Sequence, residues 1–329
     1  MDKKLEIGLL GVLGGFILLS LLGMIFYPVP NISTAPHITS LVQKNSGDDS
    51  FINRTPKRKI FSRSKYFVGE KTIWFSGWRD LERQFKKAEY NLVDIISQSK
   101  PVPRIFMRKL PSDLKEIRDL KKRKQLFIMM ILPLILLENE KIQIDRARLW
   151  KIITKKRMGE HIKAIDRLWL AVLADRFKTD QTDYNSLLNR VDCIPPALAL
   201  AQAAAESGWG TSRFAQQGNA IFGQWTTQYD DGLIPRRRDK GKTHRVKVFE
   251  SLSVSIGSYI RNLNTHPAYR RLRHARAIQR AKGKLLIAIK LVDTLENYSE
   301  EGSKYIKNIH SIMLNNDLQK FDEVKIENN

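Results

Sequence analysis

Cysteine is nearly absent. Cys193 is the one thiol in 329 residues, so no intramolecular disulfide can form and stability must come from packing, which this length allows. Beside Ile194 it reads as a small buried apolar residue. His161, His244, His266, His274 and His310 are scattered, without ligand-like pairing with Cys or another His, so neither a metal site nor a cofactor is expected. No phosphate-cradling glycine loop, nucleophile elbow or internal repeat occurs.

Acidic side chains are also scarce: 34 Asp+Glu stand against 57 Lys+Arg, a formal net charge of +23. Such an excess implies a polyanionic partner, whether nucleic acid, anionic lipid or an acidic cell-envelope polymer. No recognition-helix or zinc pattern accompanies the charge, so no nucleic acid is expected. Arg236-Arg237-Arg238, Lys240, Lys242, Arg245 and Lys247 form one cluster. Arg270, Arg271, Arg273, Arg276 and Arg280 form another. Each reads either as a surface for carboxylates or anionic lipid headgroups, or as solvated charge on an exposed element.

Positive charge is missing between Lys4 and Lys44, and within that gap Ile7 to Tyr27 is almost wholly apolar. A run of about 20 apolar residues matches the hydrocarbon thickness of a bilayer. With Lys3 and Lys4 before it, the positive-inside bias keeps the N-terminus cytoplasmic and sends the rest of the chain across. A cleaved signal peptide is the competing reading. The run is long for one, and Tyr27-Pro28-Val29-Pro30 is a poor cleavage site, so an uncleaved single-pass anchor in the cytoplasmic membrane is favoured.

The chain then divides into an anchor (1–28), a polar linker (29–60), an N-terminal helical region (61–140), a second domain (141–322) and a tail (323–329). Trp78, Leu81, Phe85 and Ala88 recur at helical spacing. Leu126 to Leu137 reads as a core helix kinked at Pro133. Leu168, Val172 and Leu173 predict a helix ending near Phe177. Pro195-Pro196 opens an alanine-rich helix that Gly208 and Gly210 end. Gly223 to Glu250 reads as a β-hairpin or small β-lobe. Ser251 caps a helix bearing Leu252, Ile256, Tyr259 and Leu263, and further helices are predicted over about 275–295 and 304–314.

Glu206 ends the alanine-rich helix, four residues after Gln202 and on the same face. Helix carbonyls at that end disfavour an ionised carboxylate, and an apolar wall near Trp209 would push the same way. Both favour a carboxyl still protonated near neutral pH, as protonation of a glycosidic oxygen requires. On composition alone an ordinary surface glutamate at a helix end is the better reading, and the two glycines and tryptophan that follow at once weigh against it.

The ordered motifs go further. Leu200-Ala201-Gln202-Ala203-Ala204-Ala205-Glu206-Ser207-Gly208-Trp209-Gly210, Gly218-Asn219-Ala220-Ile221-Phe222-Gly223, Phe249-Glu250-Ser251-Leu252, Ser255-Ile256-Gly257-Ser258-Tyr259 and Tyr298-Ser299-Glu300 with Tyr305-Ile306 resemble the glucosaminidase domain family, glycoside hydrolase family 73. Leu110-Pro111-Ser112-Asp113-Leu114, the Leu132-Pro133-Leu134-Ile135 run with Glu138-Asn139-Glu140, and Ile234-Pro235 extend the likeness to bacterial Bax-type glucosaminidase-like proteins, upstream to about residue 60.

The resemblance implies a mainly α, lysozyme-like domain with a small β-lobe beside a long cleft. Its activity would be endo-β-N-acetylglucosaminidase cleavage of the β-1,4 bond after N-acetylglucosamine in peptidoglycan strands. Glu206 would be the general acid and Tyr298 a second catalytic residue. Gln202, Trp209, Asn219, Phe222, Gly223, Gln228 and Tyr229 would meet substrate. One departure stands out: Thr226-Thr227-Gln228-Tyr229 has glutamine where flagellar members of the family carry a second glutamate. Asp230, Asp231 or Glu250 could replace it, or the substrate's acetamido group could act instead. A lytic transglycosylase and a non-catalytic glycan-binding scaffold are the alternatives.

Overall fold

The computed structural model describes residues 71–226, 232–235, 245–283 and 285–328, all within one unit spanning Arg63–Asn329. They are mainly helical, with a small antiparallel sheet. Strand β1 (Lys71–Thr72), helices α1 (Trp78–Lys87) and α2 (Leu92–Ser97), and strand β2 (Ile105–Phe106) come first. Helices α3 (Leu120–Arg157), α4 (Ala164–Arg176), α5 (Tyr184–Arg190), α6 (Pro196–Ser207) and α7 (Arg213–Gly218) follow. Three short strands, β3 (Trp225–Thr226), β4 (Gly232–Leu233) and β5 (Arg245–Lys247), precede α8 (Leu252–Thr265), α9 (Arg270–Ala281), α10 (Ile289–Val292) and α11 (Ser303–Asn315). The expected anchor and linker lie outside the described residues. Among the described residues no helix is long and apolar enough to cross a membrane.

Helix α3 is 38 residues long. Asp119 starts it by accepting the Lys121 and Lys122 N–H groups, and Lys155, Lys156 and Arg157 suit the negative end of its dipole. Pro133 does not end it; the helix runs through that residue and on past 140, the division drawn from the sequence. Leu126, Phe127 and Ile128 are buried, as are all residues from Met130 to Leu137, so this part is covered on every side. The same core holds Leu81 and Phe85 of α1, as their spacing predicted, and Leu198 and Leu200 of α6.

Helix α6 is the innermost element, packed by α3, α10, α11 and the short turn Leu318–Phe321. Residues Pro196 to Ala204 are all buried. A helix that starts inside the protein needs its first N–H groups satisfied from elsewhere. Pro196 has no N–H to satisfy, and Asp322 accepts the N–H of Ala197 at 2.9 Å from 125 residues away. The other Asp322 oxygen accepts Ala288 N–H at 3.3 Å. Buried Asn139 of α3 grips Ile194 at both ends, donating to its carbonyl at 2.7 Å and accepting its N–H at 3.1 Å.

The arginines of α9 complete this anchorage. Arg276 is fully buried and donates to the carbonyls of Asn189, Asp192 and Cys193 at 2.8, 3.2 and 2.9 Å. Burial alone would raise the Asp192 pKa, but the Arg276, Arg280 and Arg146 guanidiniums outweigh it and hold the carboxyl below its ordinary value. Arg273 is buried too, donating to the Leu263 and His266 carbonyls. Three members of the later arginine cluster therefore serve the interior, while Arg270 faces outward and Arg271 pairs with Glu296. Arg236 to Lys242 lie outside the described residues.

One predicted helix differs. The helix expected over 275–295 breaks at Gly283, whose φ of +63° leaves the helical region, and resumes as α10. The expected β-hairpin or small β-lobe is present as a three-stranded sheet with β5 central, pairing Trp225 with Val246 and Gly232 with Lys247. The C-terminal segment, read as a tail, forms a parallel bridge to Val102, with Val102 N–H to Lys325 O at 2.8 Å and Glu327 N–H to Val102 O at 2.9 Å.

Replacing Asp322 by Ala strands two inward N–H groups at once. Urea denaturation should show the variant less stable by about 1–3 kcal/mol, with an unchanged slope.

Candidate active site

The C-terminal end of α6 presents Glu206. Gly208 adopts φ +57° and Trp209 φ +56°, so the chain turns sharply and the Trp209 N–H returns to the Ala204 carbonyl at 3.0 Å. Ser207 Oγ secures the turn, donating to Ala203 O at 2.6 Å and accepting Gly210 N–H at 2.9 Å. Gly210 lies against Leu110, Leu114 and Phe127, so closely that a Cβ there would meet two of them at 3.0 Å.

Glu206 opens into a cleft of about 890 Å³. The segment Phe222 to Trp225, Tyr269 and the loop Glu296–Gly302 line it. Gly223 brings its backbone close to the carboxyl: a Cβ there would stand 3.6 Å from Oε2, and its φ of +56° suits glycine. Burial raises the Glu206 pKa from 4.5 to about 6; a hydrogen bond from the Tyr305 hydroxyl opposes the shift and the charge of Glu301 adds to it.

Aromatic rings surround this carboxyl. Tyr298 lies in the cleft and stacks on Tyr305 at 5.3 Å between centroids, with the tilted Tyr269 ring at 5.9 Å. Burial raises the Tyr298 pKa well above its usual value, with Tyr305 and Glu206 acting the same way, so it is a neutral phenol at any working pH. Phe222 is buried and stacks flat on Tyr259, 3.7 Å between centroids.

The structure thus brings Glu206, Tyr298, Phe222 and Gly223 together at one cleft. It places other candidates elsewhere. Gln202 is fully buried beneath the cleft, bonded to Tyr259 and Tyr305. Trp209 turns away onto the edge of Phe127, 5.7 Å between centroids, with the Lys124 ammonium over its ring. Asn219 is buried and donates to Phe249 O at 2.9 Å, fixing the base of the β-lobe. Glu250 is exposed in a separate cavity of about 620 Å³ that also touches Trp74, Arg108 and Asn219. Gln228, Tyr229, Asp230 and Asp231 lie outside the described residues.

Sequence reasoning did not single out Tyr269, Glu296 or Glu301. Glu301 directly follows the recognised Tyr298-Ser299-Glu300 stretch, which was its available signal. Tyr269 follows a His266-Pro267 helix stop and carries no local mark of function. No group of His, Cys, Asp or Glu among the described residues could hold a metal ion.

The glucosaminidase family, described as mannosyl-glycoprotein endo-beta-N-acetylglucosaminidase, matches residues 181–318. Protein bax of Escherichia coli (strain K12) is 34% identical over 225 residues, covering 67% of this chain and 75% of that protein. The chain belongs to the glucosaminidase family. It is accordingly a glycoside hydrolase, and the matched span runs from before α5 to the Leu318–Phe321 turn, enclosing every described side chain of the cleft. No solved structure matches.

Glu206 burdens the fold when ionised. Its folded pKa, about 6, exceeds the ordinary 4.5, so the native state binds the proton more tightly than the unfolded chain. Stability from this group is complete below about 4.5 and lost as pH rises through about 6. Glu206→Gln should therefore match the wild type at pH 4 and exceed it by about 1–2 kcal/mol at pH 8, measured by urea denaturation at both.

Proposed function

We propose that this chain is a membrane-anchored peptidoglycan hydrolase, an endo-β-N-acetylglucosaminidase with Glu206 as its general acid. The observation that carries the reading is a carboxyl raised to about 6 in an open cleft that the sequence motifs of the family enclose. The lysozyme-like description of the domain belongs to this reading, as does the placement of the catalytic part outside the cytoplasmic membrane, which rests on the apolar run Ile7 to Tyr27.

In this mechanism the protonated Glu206 donates its proton to the glycosidic oxygen as the C1–O bond breaks. The departing strand leaves as an alcohol and Glu206 becomes a carboxylate. Positive charge develops at C1, and water finally supplies the hydroxyl of the new reducing end. Tyr298, a neutral phenol beside the acid, can donate a hydrogen bond to the sugar, and the exposed Trp225 side chain offers a ring at the β-lobe lip. Two routes handle the charge at C1: the substrate's own acetamido oxygen, which the glutamine at 228 favours, or a carboxylate of the Glu296–Gly302 loop.

Digestion of purified sacculi by the full chain, with mass spectrometry of the products, tests the reading. New ends should be reducing N-acetylglucosamine, and Glu206→Gln should lower turnover about 10²- to 10⁴-fold. Because the acid works protonated, wild-type kcat/KM should fall as pH rises through about 6. Reducing N-acetylmuramic acid would overturn the bond preference, and anhydro ends would make the protein a lytic transglycosylase. Binding to sacculi without cleavage would favour the scaffold.

A further inference from the structure

A second groove lies apart from the acid's cleft, where the N-terminal helical region meets the domain that the family matches. The cavity of about 620 Å³ that holds Glu250 shares Ser112, Gln216 and Gln217 with a neighbouring one of about 600 Å³, so the two run together. They share no lining residue with the Glu206 cleft. One wall comes from segments 73–77 and 108–112 with Lys115, upstream of the family match; the other comes from residues between 211 and 219 and from 248–250, within it. Gln216 ties the walls together, its Nε2 donating to the Pro111 carbonyl at 3.1 Å and the Gly210 carbonyl at 2.8 Å.

Trp74 lines this groove from a fixed backbone: the Ile73 N–H bonds to Phe106 O at 3.1 Å, and Gln84 Nε2 donates to the Trp74 carbonyl at 2.7 Å. The residue is nonetheless 78% exposed. An indole held out in water contributes little packing, and its flat apolar face suits the C–H face of a sugar ring. Positive charge lines the rest. Arg108, Lys109, Lys115 and Arg213 stand against one acid, Glu250, among the described lining residues. No ion pair among the described residues engages any of the four. Arg108 Nε donates to the Glu250 carbonyl at 3.3 Å and Arg213 to Ile234 O at 2.7 Å, while both lysines are exposed. Asn219, also in the lining, is 4% exposed, and its Oδ1 has no hydrogen-bond partner among the described residues, a leftover acceptor of the kind that water or a ligand satisfies.

We propose that this groove is an accessory binding site for the acidic, peptide-bearing part of the glycan strand, with Trp74 against a sugar ring and Lys109 and Lys115 meeting carboxylates of the peptides. The inference rests on the reading of the chain as a peptidoglycan hydrolase and adds how it holds the polymer away from the bond it cuts. It also gives the N-terminal helical region a part in recognition, since one wall of the groove belongs to that region.

The lining selects the occupant. A neutral glycan offers hydroxyls and acetamides, which Ser112 and Gln217 can meet, and leaves the cations unanswered. A strand that carries both sugar rings and carboxylates answers the ring and the charge together. An anionic bilayer presents a flat face, which suits a protruding basic surface better than a groove between two walls. Single-stranded nucleic acid stacks successive bases on successive rings, and Trp74 is the one exposed ring among the described lining residues. Exposed ammonium groups each contribute modestly and are screened by salt, so the attraction is collective and falls with ionic strength.

The test measures binding of soluble, uncross-linked peptidoglycan strands to the full chain carrying Glu206→Gln, which keeps the strands intact during titration. Adding Lys109→Glu with Lys115→Glu should raise Kd about 10- to 100-fold, and adding Trp74→Ala about 3- to 10-fold. Raising salt from about 0.05 to about 0.5 M should weaken binding by the parent far more than by the lysine variant. A neutral chitooligosaccharide of equal length should bind the parent and the lysine variant alike. Equal strand Kd in the parent and both variants would overturn the groove, while cleavage of sacculi by the wild type would leave the hydrolase reading standing. A wild type that neither binds nor cuts strands would overturn both. Tighter binding of anionic phospholipid vesicles or single-stranded DNA than of strands, lost in the same variants, would overturn the occupant. Should the charge reversal disturb folding, Lys109→Gln with Lys115→Gln decides: weaker strand binding supports the site and unchanged binding refutes it.

Discussion

A helix that begins and runs inside a protein must have its polar ends satisfied by other parts of the chain, and α6 is such a helix. Its start is held by Asp322, Asn139 and the arginines gathered on Asp192, which come from near the C-terminus, α3 and α9. Its body is alanine and leucine, small enough for α3, α10 and α11 to close around it. Its far end is the only part that approaches water. The elements packed around α6 hold that end at the floor of a cleft.

This arrangement explains the state of Glu206. The carboxyl is half-buried, and desolvation favours its neutral form. Left alone, a buried acid would hold its proton too firmly to give it away. Tyr305 opposes that shift, and buried Gln202 beneath it is bonded to both Tyr259 and Tyr305. The fold therefore tolerates an acid that destabilises it at high pH, a familiar exchange of stability for reactivity.

The N-terminal helical region shares this logic. Asp113 accepts the Trp78 N–H at 3.0 Å and starts α1 from a distance, as Asp322 starts α6. Gly77 leaves room for it, since a Cβ there would sit 2.4 Å from Asp113 Oδ2. Leu252 N–H bonds to Arg108 O at 3.0 Å, joining the same region to the helix that carries Tyr259. Positive charge that reads from sequence as a surface is spent partly indoors, because Arg273 and Arg276 are needed by carbonyls at helix ends.

The sequence by itself determined the local features. Helical spacing marked α1 and α8, Pro195-Pro196 and Gly208 bounded α6, and the order of motifs identified the family and drew attention to Glu206, Tyr298, Phe222 and Gly223. These are legible because capping, periodicity and backbone freedom act over a few residues. Only the tertiary structure decided the rest. It turned Trp209 from the cleft to Phe127, sank Gln202 under the acid, sent Glu250 to another cavity and brought in Tyr269 and Glu301. Whether a side chain meets substrate, core or a buried carbonyl depends on what the fold brings against it from distant positions. Asp322 and Ala197 are 125 residues apart, and no local pattern encodes their meeting.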